Sequence, residues 1–241
     1  MTKEDLSLVM PAGLSTARPN KKQVSRERST ERILDSALKL FVRRGYVDTT
    51  IDDIAEASDL TKGAVYHYFG SKEELLLELL ARIEHESMQV TDEAFSEGLS
   101  ATDKLVRYLH RQAVKAVERP DSLLFVVTLS ANLASVSERV RQQVDAIHGR
   151  LAKAFERIIR EGVKSGEFRP PISERDLSLF FIAIYSGNVL QWHRSGRQPK
   201  VGRALVRALR IAILSILGVN PTPDRVAEET KASRKGRKPS G

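Results

Sequence analysis

Cysteine is absent from this 241-residue sequence, so the chain can form neither a disulfide nor a thiolate metal site. That absence fits a reducing compartment, and we expect a cytoplasmic protein. A membrane-length apolar run is also missing, because the most apolar tract, Ala208 to Val219, is interrupted by Arg210 and is shorter than the ~20 residues that a span needs. The N-terminus has no apolar segment after a charged start, so we expect neither a signal peptide nor a membrane partner.

Motifs of the common enzyme classes are missing as well. The sequence contains no G-x-S-x-G, no P-loop, no G-x-G-x-x-G and no H-E-x-x-H. Its five histidines are not spaced like the ligands of a metal ion. We therefore expect no catalytic residue, no metal site and no cofactor.

Positive charge is abundant, with a formal net charge of +8, and it is concentrated near the two ends. From residue 18 to residue 44, nine lysines and arginines stand against three acidic residues, and from 224 to 238 six stand against three. A concentrated basic segment favours contact with phosphates, and Lys21, Lys22 and Arg26 are the candidates for it. The alternative is a solvated, disordered arm, which is the favoured interpretation for the C-terminal segment.

Apolar periodicity predicts helices along the whole chain and no convincing strand, so the expected fold class is all-α. The first helix is predicted to begin near Ser29–Thr30 and to end at Gly45. Three shorter patterns follow it, and after Gly98 the helices become longer and more strongly amphipathic.

The stretch from Thr50 to Lys72, TIDDIAEASDLTKGAVYHYFGSK, predicts two short helices joined by a tight turn and followed by the start of a third. Thr50, Thr61 and Ser71 are placed to cap these helices, since each hydroxyl can accept the amide proton three residues further on. Residues 58–60 make the turn. This is the pattern of a helix-turn-helix, a unit that places its second helix in a DNA groove.

The second helix of this unit exposes an unusual set of side chains. Gly63 costs about 1 kcal/mol of helix stability relative to alanine, which makes sense if the backbone must approach a bulky surface. Lys62 can reach guanine O6 or N7, or a phosphate, and Tyr66 lies one turn further along the same face. The two threonines act as caps whatever else they do, and Tyr66 has packing as its alternative role. The candidate DNA contacts are Thr50, Thr61, Lys62, Gly63, Tyr66, His67 and Lys72.

The same segment combines G-Y-x-x-T-T, I-A, T-K-G-x-x-Y-x-Y-F and S-K-E-x-L in one run. In this it resembles, from about Glu31 to Leu80, the N-terminal domain of the TetR family of bacterial transcriptional regulators. The resemblance implies an all-α homodimer with two helix-turn-helix heads on a palindromic operator. One departure is visible, because Asp59 stands where the family usually has glycine in the turn. Aspartate visits positive φ readily, so we expect the turn to survive with mild strain.

Pattern and resemblance together divide the chain into four parts. These are a disordered basic arm at 1–24, a helix-turn-helix DNA-binding domain at 25–72, a larger helical effector-binding and dimerisation domain at 73–218, and a disordered basic tail at 219–241.

Two apolar helices, starting near Ser173 and Val201, are expected to form the dimer interface as a four-helix bundle with their symmetry mates. The alternative is that their apolar residues only close the core of one protomer. The candidates for this interface are Phe180, Phe181, Ile184, Gly187, Leu205, Leu209, Ala212 and Ile216.

Polar and aromatic residues on otherwise buried stripes are the candidates for a ligand pocket in the helical domain. The apolar character of residues 123–127 and 177–184 favours a largely hydrophobic small-molecule effector. Each candidate has an ordinary core or surface role as its alternative. They are Tyr108, Gln112, Thr128, Asn132, His148, Tyr185, Asn188 and Trp192.

These observations predict a sequence-specific DNA-binding regulator, a repressor that a small effector releases from its operator. Two alternatives remain open at this point. The basic ends suit a nonspecific architectural DNA-binding protein, and the helical domain could in principle be an enzyme with an appended DNA-binding head.

Overall fold

The computed structural model of the protein describes residues 21–220, with side chains from Val24 onward. Within that range the chain forms α-helices and one short 3-10 turn, Leu133–Ser135, and no strand, which confirms the all-α prediction. The helices are α1 (Lys21–Arg44), α2 (Ile51–Ala57), α3 (Lys62–Phe69), α4 (Lys72–Ala94), α5 (Ala101–Glu118), α6 (Pro120–Ser130), α7 (Glu138–Ser165), α8 (Glu174–Arg194) and α9 (Pro199–Ile216). None of the helices between residues 21 and 220 has both the length and the apolar character needed to cross a bilayer.

The start of α1 differs from the sequence prediction. We expected the helix to begin near Ser29–Thr30 and residues up to 24 to belong to a disordered arm, but the helix begins at Lys21. The segment 21–28 is rich in lysine, arginine, glutamine and glutamate, which are good helix formers, and it contains no glycine or proline. Residues 1–20, and the tail beyond residue 220, lie outside the described part of the chain.

A first hydrophobic core holds the three N-terminal helices and α4 together. Its centre is formed by fully buried side chains such as Ile33, Ile54 and Leu76. Residues far along the chain complete it, because α6 packs against α1 and the first half of α7 packs against α4. The contributions from α6, α7 and the turn between them are Phe125, Leu129, Val136, Val140, Val144 and Ile147.

A second core lies in the C-terminal part of the chain, between the end of α4, α5, the second half of α7, α8 and α9. Aromatic rings dominate its centre. Tyr108 and Phe155 meet edge to face with ring centroids 4.9 Å apart, and Phe155 and Phe181 also meet edge to face, with centroids 6.2 Å apart. The two cores together leave α4 in contact with both halves of the molecule.

The outer faces of α8 and α9 only partly match the predicted dimer interface. Phe181 and Leu209 are buried within the second core, so they cannot form a surface between protomers. Phe180 and Gly187 are exposed, while the other four candidates are half-buried. The neighbours Phe180 and Phe181 point to different sides because successive residues on a helix are separated by about 100°. The sequence prediction missed three exposed apolar side chains on these helices, which are Leu179, Leu190 and Ile211.

The segment between α7 and α8 ties three helices together. The Phe168 ring lies so close to Gly162 that a Cβ there would stand 2.1 Å from the ring. The Glu167 carboxylate accepts hydrogen bonds from the backbone amides of Ala101 at 3.1 Å and Thr102 at 3.0 Å, and so caps α5 from a distant part of the chain. Burial raises the pKa of Glu167, but these hydrogen bonds outweigh burial, and the net effect is a lowered pKa.

Candidate DNA-binding site

The start of α2 is fixed by a reciprocal cap. The Thr50 hydroxyl accepts from the Asp53 amide at 3.1 Å, and the Asp53 carboxylate accepts from the Thr50 amide at 2.8 Å. Hydrogen bonds from Thr50, together with the Arg44 guanidinium 3.0 Å away, lower the pKa of Asp53. The cap therefore fixes the first turn of α2, with Thr50 exposed at its tip.

The turn between α2 and α3 has the strained residue expected from the sequence. Asp59 has φ 54°, in the left-handed region, which confirms that aspartate takes the position of the usual glycine. The Arg32 guanidinium on α1 donates to the Ser58 carbonyl oxygen and lies 3.4 Å from the Asp59 carboxylate. Arg32 thus supports the turn from outside, a contact that the local sequence pattern gave no reason to expect.

Helix α3 is anchored by one fully buried side chain, Val65. The Thr61 hydroxyl caps it by accepting from the Ala64 amide at 3.1 Å. Tyr68 and Phe69 are half-buried and pack against the first core. Ala64 is half-buried, and the exposed residues of α3 and its cap form one surface, which we call the α3 face: Thr61, Lys62, Gly63, Tyr66 and His67.

Gly63 has no structural reason to be glycine. It lies in helical backbone, and a Cβ added there would meet nothing closer than the Thr61 hydroxyl oxygen at 4.0 Å. Alanine would therefore fit and would favour the helix. The absence of a side chain is unexplained by packing within the protein, which supports the interpretation that another molecule approaches the α3 backbone at this point.

Lys62 and Asp52 form an ion pair across the helix-turn-helix. The Lys62 Nζ and Asp52 Oδ2 atoms are 2.7 Å apart, and both side chains are more than half exposed. The hydrogen bond and the charge of Asp52 raise the pKa of Lys62. Lys62 is therefore protonated, and its ammonium group lies against the Asp52 carboxylate in this structure.

Lys72, at the start of α4, is held more firmly. Its Nζ donates to the Val47 carbonyl oxygen at 3.1 Å and lies 4.4 Å from the centroid of the Tyr46 ring. Burial lowers the pKa of Lys72, although Asp48 and Asp53 oppose that effect. The ammonium group thus has a fixed position beside the loop that leads to Thr50.

Most of the acidic residues that surround the α3 face are paired with cations from other elements. The helix-turn-helix and the first turn of α4 contain more acidic than basic residues, which is unfavourable for a DNA-binding surface. Pairing neutralises much of that charge locally. The ion pairs are Asp59 with Arg32, Asp53 with Arg44, Asp52 with Lys62, and Glu73 and Glu74 with Arg139. Arg139 comes from α7 and could not have been paired with this surface from the sequence.

The other predicted phosphate contacts lie on α1. Arg26 is exposed on that helix, whereas the side chains of Lys21 and Lys22 are outside the described residues. The backbone of Lys21 and Lys22 belongs to α1 rather than to a disordered arm.

Three of the predicted effector-binding residues meet in the second core. The Gln112 amide donates to the Tyr108 hydroxyl at 2.8 Å and accepts from the Tyr185 hydroxyl at 3.1 Å. Tyr108 is 1% and Gln112 3% exposed, whereas Tyr185 is half-buried and packs against the edge of the second core. Burial raises the pKa of both tyrosines, which keeps their hydroxyls neutral.

Among the described residues, none of the other five candidates is hydrogen-bonded to the polar triad. Thr128 donates to the Leu124 carbonyl within its own helix, and Asn132 is exposed at the end of α6. His148 lies 3.0 Å from the Ser130 hydroxyl, and burial lowers its pKa against the opposing effect of Asp145.

Asn188 and Trp192 lie on α8. Asn188 is half-buried, and the Trp192 indole nitrogen is buried without a hydrogen-bond partner among the described residues. The structure therefore joins three of the eight predicted ligand residues by hydrogen bonds and leaves the other five outside that group.

Comparison with known proteins identifies two family domains in the chain. Residues 33–79 match the model described as bacterial regulatory proteins, tetR family, and residues 104–197 match a tetracyclin repressor-like C-terminal domain. The first match contains the helix-turn-helix and the second contains the polar triad.

Individual relatives align over most of the chain. The solved structure of MbdR regulator from Azoarcus sp. CIB is 32% identical, covers 80% of this chain and 100% of its own, and superposes with a TM-score of 0.70. The HTH-type transcriptional repressor KstR2 of Rhodococcus jostii is 26% identical over 77% of this chain and 89% of its own length. The HTH-type transcriptional repressor DhaR of a Mycobacterium species is 26% identical over 67% of this chain and 80% of its own.

Proposed function

This chain belongs to the tetR family of bacterial regulatory proteins, and from that premise we propose that it is a transcriptional repressor of a two-fold symmetric DNA operator. The observation that carries the proposal is the α3 face, a solvent-exposed surface on a short helix that Val65 anchors to the core. Two relatives that align over most of the chain are named transcriptional repressors.

The α3 face has the chemistry that reading a major groove requires. Lys62 supplies ammonium donors for guanine O6 and N7, and Gly63 lets the helix backbone approach the bases or the phosphates. Tyr66 presents a ring and a hydroxyl one turn further on. Thr50 and Lys72 lie at the N-terminal ends of α2 and α4, where backbone amides favour anions, and we propose them, with the basic residues at the start of α1, as phosphate contacts.

Two copies pair, in this proposal, through the exposed apolar faces of α8 and α9. Leu179, Phe180 and Leu190 line the outer face of α8, and Ile211 lies on the outer face of α9. Large exposed side chains on two neighbouring helices are typical of a surface that another copy covers. Such a dimer carries two α3 faces, which can dock in half-sites about one helical turn, ~34 Å, apart.

The effector is proposed to bind in the second core beside the polar triad. A few polar groups among apolar and aromatic side chains are typical of a site for a largely hydrophobic ligand. Its binding would change the relative position of the two recognition helices, and docking in both half-sites would fail. An operator complex whose affinity no member of a hydrophobic compound library alters would contradict this part of the proposal.

A binding selection from random DNA with the purified protein tests the main proposal. We expect the recovered sequences to share a palindrome with half-sites one turn apart. Recovery of unrelated sequences, with a steep dependence on salt, would instead favour a nonspecific architectural protein. If the protein were instead an enzyme with a DNA-binding head, its catalytic turnover would persist in variants whose α3 face is mutated.

Replacing Tyr66 by alanine is expected to lower operator affinity by a factor of roughly 10 to 100, the usual range for one good base contact. Tyr66 is 44% exposed and belongs to neither hydrophobic core, so helicity and dimerisation should be unchanged. Fluorescence anisotropy with the selected operator measures the affinity, and sedimentation checks the dimer. Val117→Ala, an exposed change on α5, is the control, and equal affinities for the two variants would refute the role of Tyr66.

Replacing Gly63 by alanine is expected to separate stability from binding. The helix gains up to about 1 kcal/mol because alanine favours α3 and its methyl group has room. Operator affinity should fall, since the methyl group stands between the α3 backbone and the DNA. Urea unfolding and operator titration measure the two effects. A variant that is more stable and binds the operator as tightly as the wild-type protein would show that DNA does not approach Gly63 closely.

A further inference from the structure

The ion pair between Asp52 and Lys62 has a consequence for how the α3 face distinguishes one DNA sequence from another. Lys62 begins the recognition helix, and its ammonium group is already bound by a carboxylate before DNA arrives. An ammonium group has three hydrogen-bond donors. Asp52 occupies one of them and fixes the direction of the other two.

We propose that Asp52 is a specificity-determining residue, which holds Lys62 in position to read a base and keeps it from binding phosphates indiscriminately. The inference rests on the proposed function, because it concerns operator binding by the α3 face. In the operator complex Lys62 donates to a guanine while it keeps its bond to Asp52. On unrelated DNA no guanine stands in that place, and Lys62 would have to leave Asp52 to reach a phosphate.

Asp52 competes with DNA phosphates for Lys62, and it therefore weakens binding to unrelated DNA more than binding to the operator. Nonspecific binding derives from contacts between cations and phosphates, and each such contact adds about 0.9 to the slope of log affinity against log salt. Asp52 withholds one of those contacts from DNA that fits the surface poorly, a cost that the operator complex does not carry. Discrimination that includes a penalty against the wrong partner is a general device of specific interfaces.

Asp52→Asn in the full chain tests the inference, with Glu56→Gln as the matched control. Glu56 is exposed on the same helix, so the control changes the net charge equally without touching Lys62. Each protein is titrated with the selected operator and with a scrambled duplex of the same length over a series of salt concentrations. For Asp52→Asn we expect tighter binding to the scrambled duplex, a salt slope about 0.9 steeper, and a ratio of specific to nonspecific affinity reduced by a factor on the order of ten.

A double-mutant cycle with Lys62→Ala shows whether Asp52 acts through Lys62. In the Lys62→Ala background the Asp52→Asn change is expected to have no effect beyond that of Glu56→Gln. A persistent effect there, or an affinity ratio for Asp52→Asn equal to that of Glu56→Gln, would overturn the inference. If the wild-type protein recovers no shared sequence in the selection from random DNA, the proposed function itself fails. That selection precedes the variants, so this failure is distinguished from a failure of the inference about Asp52.

Discussion

Phe125→Ala is expected to destabilise the protein by about 3–5 kcal/mol, the usual cost of removing a buried phenylalanine ring, and to loosen the DNA-binding helices. Phe125 belongs to α6, far from the helix-turn-helix in sequence. Its ring is 2% exposed and stacks on Phe41 of α1 with the centroids 5.7 Å apart. A cavity at this place removes support from the helix on which α2 packs.

Urea unfolding measures the decrease in the free energy of unfolding, and hydrogen exchange identifies the helices whose amides lose protection. We expect the amides of α1 and α2 to lose protection in Phe125→Ala. Tyr66→Ala is a matched control, because it also removes an aromatic ring but from an exposed position, and it should change stability by no more than about 0.5 kcal/mol. Wild-type protection of α1 and α2 in Phe125→Ala would mean that α6 does not support the head.

Gly162→Ala is expected to cost about 3 kcal/mol, the upper end for one added methyl group in a packed core. The new Cβ would stand 2.1 Å from the ring of Phe168, which is itself 1% exposed. The ring must move, and with it the segment whose Glu167 caps α5 and whose Arg169 amide donates to the Leu217 carbonyl at 2.8 Å. Three helix ends are therefore disturbed by one methyl group.

Gly149→Ala is the control for this variant, since Gly149 lies in the same helix with nothing within 4 Å of an added Cβ. There alanine should stabilise the protein by up to about 1 kcal/mol. Thermal unfolding of the two variants measures the difference. If both variants were stabilised, Phe168 would not occupy the space next to Gly162.

The local features of the helix-turn-helix could be predicted because each depends on residues close in sequence. Thr50, Thr61 and Ser71 cap α2, α3 and α4 in the structure, as their positions three residues before an available amide predicted. The left-handed conformation of Asp59 follows from the tight turn that the pattern requires. The exposed α3 face follows in the same way from Val65 being the apolar residue that the core needs.

Contacts between distant elements could not be predicted in this way. Arg139 pairs with the first turn of α4 only because α7 passes beside it. Phe181 lies on α8, whose apolar residues are spread nearly all round the helix, so the pattern does not reveal that Phe181 faces the core. Leu209 lies on the strongly amphipathic α9, where the pattern marks an apolar face but not whether that face turns to the core or to a partner. For the same reason the sequence suggested eight polar residues for the effector site but could not tell that Tyr108, Gln112 and Tyr185 bond to one another.

The first core has a consequence for how regulators of this kind can be recombined. Its apolar centre draws on α6 and α7 as well as on the DNA-binding helices, so the packing of those helices extends beyond residues 25–72 to later parts of the chain. A chimera that joined this segment to the helical part of a relative would keep its recognition helix yet lose the matched surface on which α1 rests. The exchangeable unit includes Phe125, Leu129 and the apolar residues at the start of α7, and a new DNA specificity is more readily introduced by substitutions on the α3 face than by grafting the whole head.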